Sequence, residues 1–275
     1  MKSRFKRIEN QYAYTLNRLF RSIRDFVGLD LQNPQDISRR LKLYASSAAY
    51  KQWCDQIALN VATQVNKGVS ATWREASQKA GRGSELYTAI LEELEKPHGG
   101  AFYQTVRSNA EVIKTFPLNL SEEITEYVSR QNMEGRRGGD IMQDLIERFP
   151  GMAKSRLQLI ARTEVSKSQS ALTQSRAQAL GLNWYVWRTS DDARVRSAHR
   201  HMEGVLVNWN NPPSPEMFSP DGEQAHYGYY HAGNTFNCRC YAEAIINLDY
   251  VDFPARVYRN NYIAKMTRAA FEKIL

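Results

Sequence analysis

Trp184-Tyr185-Val186-Trp187-Arg188-Thr189-Ser190-Asp191-Asp192-Ala193-Arg194-Val195-Arg196-Ser197-Ala198-His199-Arg200-His201-Met202-Glu203-Gly204-Val205-Leu206-Val207 leads, past a proline-rich loop, to His231-Ala232-Gly233-Asn234-Thr235-Phe236-Asn237-Cys238-Arg239-Cys240. Four of the five histidines (His199, His201, His226, His231) and two of the three cysteines fall between Trp184 and Cys240, so the reactive side chains of the chain are gathered here. The aromatic and β-branched run Trp184 to Arg188 predicts a strand, Val205 to Val207 a second, and Cys240 to Leu248 a third. Between the first two, Asp191-Asp192 begins a turn or short helix that carries Arg194, Arg196 and His199 and ends at Gly204. Asn210 to Gln224 holds four of the nine prolines and reads as a long, partly extended loop.

Thiolates and imidazoles are the preferred ligand set of zinc, which takes four of them tetrahedrally. Cys238, Cys240 and His199 supply three, provided the strand return brings His199 over. The fourth is open between His231, His201, His226 and Asp192. The competing reading makes Cys238 and Cys240 buried strand-end residues and gives His199 a hydrogen bond to Asp192 or to a backbone carbonyl. A disulfide across Cys238-Arg239-Cys240 is strained by its tightness. The cofactor the sequence leaves room for is thus a structural zinc ion on His199, His231, Cys238 and Cys240, or none.

Upstream, a long helix is expected from about Met152 to Leu180, ended by Gly181. Along it Leu157, Ile160, Ala161, Val165 and Leu172 face a core, and Arg162, Thr163 and Glu164 form three consecutive polar positions. Two readings stand for those three: ordinary helix-surface ion pairs, or side chains that reach into the histidine and cysteine region and hold its loops. Shorter helices are expected over Ile141 to Phe149, broken at Pro150-Gly151, and over Phe102 to Phe116, broken at Pro117 with Ser121 capping the next. Gly135-Arg136-Arg137-Gly138-Gly139 is the expected domain boundary. It lacks the lysine and hydroxyl of a phosphate-binding P-loop.

At the N-terminus, Phe5, Ile8, Tyr12, Leu16, Leu19, Ile23 and Phe26 recur at steps of three and four, the period of one helix face. Arg18, Arg21 and Arg24 lie on the other side, either as a solvated face or as a stripe for phosphates or a partner. A second helical run is expected from Ile37 to Val65, ended by Gly68, and a third from Ala71 to Leu94, ended by Pro97-His98-Gly99-Gly100. Beyond Pro254 a terminal basic helix is expected from about Val257 to Leu275. The fold class is therefore α+β and predominantly helical. Its three parts are a basic helical interaction region over 1–134, a small mixed domain with a short β-sheet over 135–250, and a C-terminal helix over 251–275.

The order Ile160-Ala161-Arg162-Thr163-Glu164, then Asp192, Arg194, Arg196, His199 and Gly204, then Asn237-Cys238-Arg239-Cys240 resembles the Mu F-type domain of phage minor head proteins, also described as the SPP1-type head morphogenesis family. The resemblance covers Gly135 to Leu248. Part of that family carries C-x-x-C where this chain has Arg196-x-x-His199, and a histidine where it has Thr235. The resemblance implies a minor head protein of a tailed phage or prophage that acts by binding portal, capsid or scaffold subunits. The expected location is the virion head or procapsid, and the host cytoplasm during assembly.

Composition bounds the rest. The chain has 275 residues, 42% hydrophobic and 24% charged, ordinary for a folded protein. No apolar run reaches the roughly 20 residues of a membrane span, so no membrane partner is expected. Met1 to Tyr50 holds ten Lys and Arg against four Asp and Glu, which places +6 of the net +8 in the first fifth of the chain. Double-stranded DNA, contacted through its backbone without sequence preference, is the additional candidate partner. The alternative function, a metal-dependent nuclease or other hydrolase built on Asp192, His199 (with Glu203), Cys238 and Cys240, lacks a dense acidic cluster. No catalytic residue is assigned.

Overall fold

The computed structural model describes residues 2–28, 34–81, 84–96, 99–219 and 227–275. His98 and His226 lie outside them, as do Gln32 and Asn33, which with Pro34, Gln35 and Asp36 read in sequence as a turn. The chain packs as two compact units, one of Lys6–Thr63 and Gln104–Ala161, the other of Met1–Phe5, Gln64–Tyr103 and Arg162–Leu275.

The first unit is built from helices. α1 (Lys2–Val27) buries Ile8, Tyr12, Leu16, Leu19 and Ile23, the stripe its spacing predicts. Phe26 is the exception: it is 45% exposed and lies against Tyr44 (ring centroids 5.1 Å), while Phe20 and Val27 take the inner positions. Arg18, Arg21 and Arg24 are exposed, as a polar face requires. The single run expected over Ile37 to Val65 is two helices, α2 (Pro34–Ser46) and α3 (Ala48–Ser77), split at Ser47, whose hydroxyl accepts from the Tyr50 backbone N–H.

Two prolines were expected to end helices and do not. α5 (Gly100–Met133) runs through Pro117, and α6 (Gly138–Ala179) runs through Pro150. An interior proline costs a helix about 3 kcal/mol. In each case a buried stripe continues across it: Ile113, Phe116, Leu120 and Ile124 in α5, and Ile141, Leu145, Phe149, Ala153 and Leu157 in α6. At roughly 1.5–3 kcal/mol for each large apolar side chain buried, packing outweighs the local penalty. Ser121 caps nothing; it is buried, with its hydroxyl 2.5 Å from that of Ser38.

In the second unit α3 continues past Gly68, the residue expected to stop it. A Cβ there would stand 3.1 Å from the Phe5 ring, so this glycine serves close packing. α3 ends at Ser77, and α4 (Glu85–Glu95) starts at Ser84, whose side chain accepts from the Tyr87 N–H. A five-stranded sheet follows in the order β3-β1-β2-β4-β5, from β1 (Trp184–Arg188), β2 (Leu206–Asn208), β3 (Tyr241–Ala244), β4 (Ala255–Arg259) and β5 (Tyr262–Met266). Only the β2 to β4 pairing is parallel. β1 is an interior strand, paired with β3 and β2 and buried on both faces, which explains its unbroken apolar run. Trp184 and Val186 pack on one face with Leu206, Val257 and Phe271, leaving Tyr185 and Trp187 for the other.

The terminal helix, α8, is confined to Arg268–Glu272. Residues expected to begin it form the β4–β5 hairpin, whose two-residue turn Asn260-Asn261 has φ of 48° and 63°. Asparagine tolerates that left-handed region, and a turn with both φ positive matches strand twist. Phe271 is fully buried, its ring edge-on to Trp184 at 4.9 Å. Phe271→Ala is therefore expected to lower stability by about 3–5 kcal/mol, and Tyr262→Ala, at a residue 74% exposed, by under about 0.5 kcal/mol. Urea unfolding followed by tryptophan fluorescence measures both; equal effects would refute this account of the sheet's packing.

Candidate metal centre

The face of β1 that carries Tyr185 and Trp187 is covered by α7 (Ser197–His201) and by the chain between Trp209 and Cys240. His199 lies edge-on to Trp187 at 5.8 Å and is buried. Its Nδ1 stands 3.5 Å from Cys238 Sγ and 3.4 Å from Cys240 Sγ, both sulfurs belonging to buried residues. One donor atom from each of the three residues fits within a 4.8 Å span. The two ends of the long loop thus meet.

The orientation of His199 follows from a buried polar chain that sequence reasoning missed. Tyr230 Oη lies 2.5 Å from Glu216 Oε1 and 2.8 Å from His199 Nε2. Burial and the Glu216 carboxylate push the Tyr230 hydroxyl pKa up, so the phenol keeps its single proton. Given to Glu216, that proton leaves the phenol oxygen as an acceptor for Nε2–H. The Nδ1 lone pair of the neutral ring is then turned to the sulfurs. Glu216 sits in a 3-10 turn, Pro215–Phe218, inside the proline-rich loop, where nothing in the local sequence signals burial. Tyr230 follows two other tyrosines and is no more conspicuous.

The sulfurs titrate as a pair. Hydrogen bonding from the Cys240 thiol, with the Cys240 backbone N–H at 3.3 Å adding to it, holds Cys238 well below the usual thiol value. Cys240, facing that sulfur and desolvated, is pushed well above it. One thiolate and one thiol is the favoured state. A cation bound by both sulfurs displaces the remaining proton.

Asn237 fastens this loop to α6. The Arg162 guanidinium donates to Asn237 Oδ1 at 2.7 Å, and the Asn237 backbone N–H donates to Thr163 Oγ1 at 3.0 Å. Asn237 has φ of +55°, a conformation asparagine adopts more readily than most residues. Of the two readings of Arg162-Thr163-Glu164, the loop-holding one describes the first two. Glu164 is buried, its carboxyl pKa raised by desolvation, with Lys167 Nζ at 3.8 Å. Gly233 completes the fit, since a Cβ there would lie 2.8 Å from the Cys240 carbonyl oxygen and 3.0 Å from Ser166 Oγ.

Several other expected site residues are engaged elsewhere. Asp192 forms a two-point pair with Arg239, at 2.6 and 2.8 Å, and its Oδ1 also accepts from the Arg194 N–H. His231 Nδ1 is 3.2 Å from Tyr185 Oη and its ring packs on Trp209, so it stands outside the group formed by His199, Cys238 and Cys240. His201 is also outside that group. Arg196 donates to the Phe236 carbonyl at 2.9 Å and lies over the Tyr227 ring at 4.9 Å. Gly204, at φ +76°, makes the turn from α7 into β2.

Residues 122–243 match the family model described as Phage Mu protein F like protein. The chain is similar to an uncharacterized protein of Haemophilus influenzae, 30% identical over 135 residues, or 48% of this chain. It spans about a quarter (26%) of that relative's length. No solved structure matches it.

Burial pushes the His231 pKa down to about 4 from 6.5. A depressed folded-state value gives stability that is fully present above pH about 6.5 and is lost as pH falls toward about 4, up to about 3 kcal/mol. His231→Gln is expected to remove this component and flatten the slope between pH 6.5 and 4. Parallel slopes for the two proteins in denaturant unfolding would refute it.

Proposed function

From the Mu F-like domain at residues 122–243, we propose that this protein is a minor head component of a tailed phage or prophage that works in head assembly by binding, not by turnover. The observation that carries the reading is the joining of Arg162-Thr163 on α6, His199 on α7 and the Asn237-Cys238-Arg239-Cys240 loop into one buried centre inside the matched segment. The partners proposed are portal and capsid or scaffold subunits, reached through the helical unit. Arg18, Arg21 and Arg24 form an exposed cationic row on α1, suited to an acidic protein surface or to the DNA backbone. No helix among the described residues is long and apolar enough to cross a membrane.

The centre is proposed to hold a zinc ion on His199 Nδ1, Cys238 Sγ and Cys240 Sγ. Three borderline-soft donors converge there, and the other nitrogen of His199 is anchored by Tyr230, the arrangement usual for a ligating histidine. When bound, zinc supplies a cross-link between α7 and the loop. The chain's own residues do the rest: Tyr230 and Glu216 fix the imidazole, and Arg162 and Thr163 hold the loop that presents the sulfurs.

Elemental analysis of protein purified without chelator is expected to give about one zinc per chain, and none for Cys238→Ser/Cys240→Ser. A chelator should lower the Tm of the parent by several degrees and leave the double variant unmoved. Zinc near zero in the parent would end the metal reading. The assembly reading is tested by co-sedimentation with procapsids of the encoding phage. Arg18→Glu/Arg21→Glu/Arg24→Glu is expected to reduce recovery several-fold at low salt with the fold intact by circular dichroism. Absence of the parent protein from procapsids would overturn the reading.

A further inference from the structure

A tetrahedral ion with three protein ligands has one position left to fill. Among the described residues no fourth His, Cys, Asp or Glu stands with His199, Cys238 and Cys240. Asp192 spends its carboxylate on Arg239, and His231 is packed against Tyr185 and Trp209. Glu216 is on the far side of the imidazole, 3.8 Å from Nε2 and therefore facing away from the coordinating nitrogen. Where part of the family carries a histidine, Thr235 offers a hydroxyl that is not a preferred zinc ligand.

The three donors themselves line a cleft of about 40 Å3. One water needs roughly 10–15 Å3 of such space, so the cleft admits more than a single water. Its other walls are Ser190, Arg194, Val195, Arg196, Asn237 and Arg239, and no acid among the described residues lines it. The charge of Arg239 is met by Asp192. Arg196 is differently placed: one amino group is on the Phe236 carbonyl, whereas Nη1 is buried without a hydrogen-bond partner among the described residues. The exposed Arg194 adds a second positive charge at the rim. An orphaned guanidinium donor beside an incomplete ligand set asks for an anion with hydrogen-bond acceptors to spare.

We propose that the centre is an anion-binding site, in which a phosphate oxygen takes the fourth position of the ion held by His199, Cys238 and Cys240 while Arg196 and Arg194 receive the remaining phosphate oxygens. This rests on the metal reading above. The ligand class is a phosphate with unsubstituted oxygens, either inorganic phosphate or the terminal phosphate of a nucleic acid strand, since one oxygen goes to the ion and others to the two arginines.

The test loads the full chain with Co2+ in place of the spectroscopically silent Zn2+ and titrates inorganic phosphate at constant ionic strength, reading the visible ligand-field absorption. A saturable spectral change is expected. Arg196→Gln, titrated against its own phosphate-free spectrum, should raise the half-saturating phosphate concentration roughly tenfold or more, the worth of a charge-assisted hydrogen bond. Arg194→Met should raise it less. A cobalt spectrum indifferent to phosphate would overturn the anion site and leave the metal reading standing, most directly if His226→Gln alters the phosphate-free spectrum and so identifies a protein fourth ligand. Failure to take up Co2+ or Zn2+ at all would overturn both. An oligonucleotide with a terminal 5′-phosphate that shifts the spectrum, where its hydroxyl-ended counterpart does not, assigns the ligand to nucleic acid ends; a response confined to inorganic phosphate assigns it to the free ion.

Discussion

The two hydrogen bonds that tie Asn237 to α6 decide the geometry of the centre. Among the described residues between Trp209 and Cys240 there is little regular structure beyond the turn Pro215–Phe218, and ordering each residue costs roughly 1–2 kcal/mol of backbone entropy. What fixes it is a set of single anchors: Arg162 and Thr163 on Asn237, Arg196 on the Phe236 carbonyl, Arg239 on Asp192, and the Tyr230 N–H on the Pro213 carbonyl. Most join residues far apart in sequence, so each closes a loop. The sulfurs face His199 because the backbone on both sides of them is pinned.

Inside that frame the chain from Glu216 through Tyr230 to His199 is a costly feature. Burying a carboxylate is expensive unless hydrogen bonds compensate, and Glu216 Oε2 has no partner among the described residues. What the arrangement returns is direction. An imidazole has two nitrogens and can rotate; Tyr230 takes one of them and leaves the other to the thiols. A hydrophobic replacement of Glu216 and Tyr230 would avoid the desolvation cost and lose the tautomer. Polar residues kept in so buried a place are better explained by orientation than by stability.

Much of this was legible in the chain and some was not, for identifiable reasons. β1 is legible because a run of aromatic and β-branched residues has few other uses, whereas the sequence offers the meeting of His199 with Cys238 and Cys240 only if the strand return brings His199 over, beside the reading that gives His199 to Asp192 or a backbone carbonyl. The α1 stripe was readable from its period, apart from Phe26, where a shift of one position passes the inner place to Val27. Pro117, Pro150 and Gly68 misled because local propensity is worth at most a few kcal/mol and a continuous buried stripe is worth more. The β4–β5 hairpin was missed because Asn260-Asn261 was read as part of a basic helix, although a paired asparagine between alternating residues is itself a turn signal. Glu216 and Tyr230 carried no such signal. Their role exists only once the loop is folded onto the sheet.

The same accounting bears on the kind of work the site performs. A metal-dependent hydrolase built on Asp192 or Glu203 would need that carboxylate free to bind metal or to take a proton from water. Here the nearby acids are engaged: Asp192 with Arg239, Glu203 with the Thr189 backbone and hydroxyl and with Arg188, and Glu243 with Arg188. Glu216 is separated from the thiols by Tyr230 and the whole imidazole. The lone pairs that converge belong to one nitrogen and two sulfurs, a set suited to gripping a cation. Because the sulfurs sit on the far end of a loop from the histidine, a cation gripped there shortens the free length of chain between them. A cation held there would clasp α7 to the loop that carries the sulfurs.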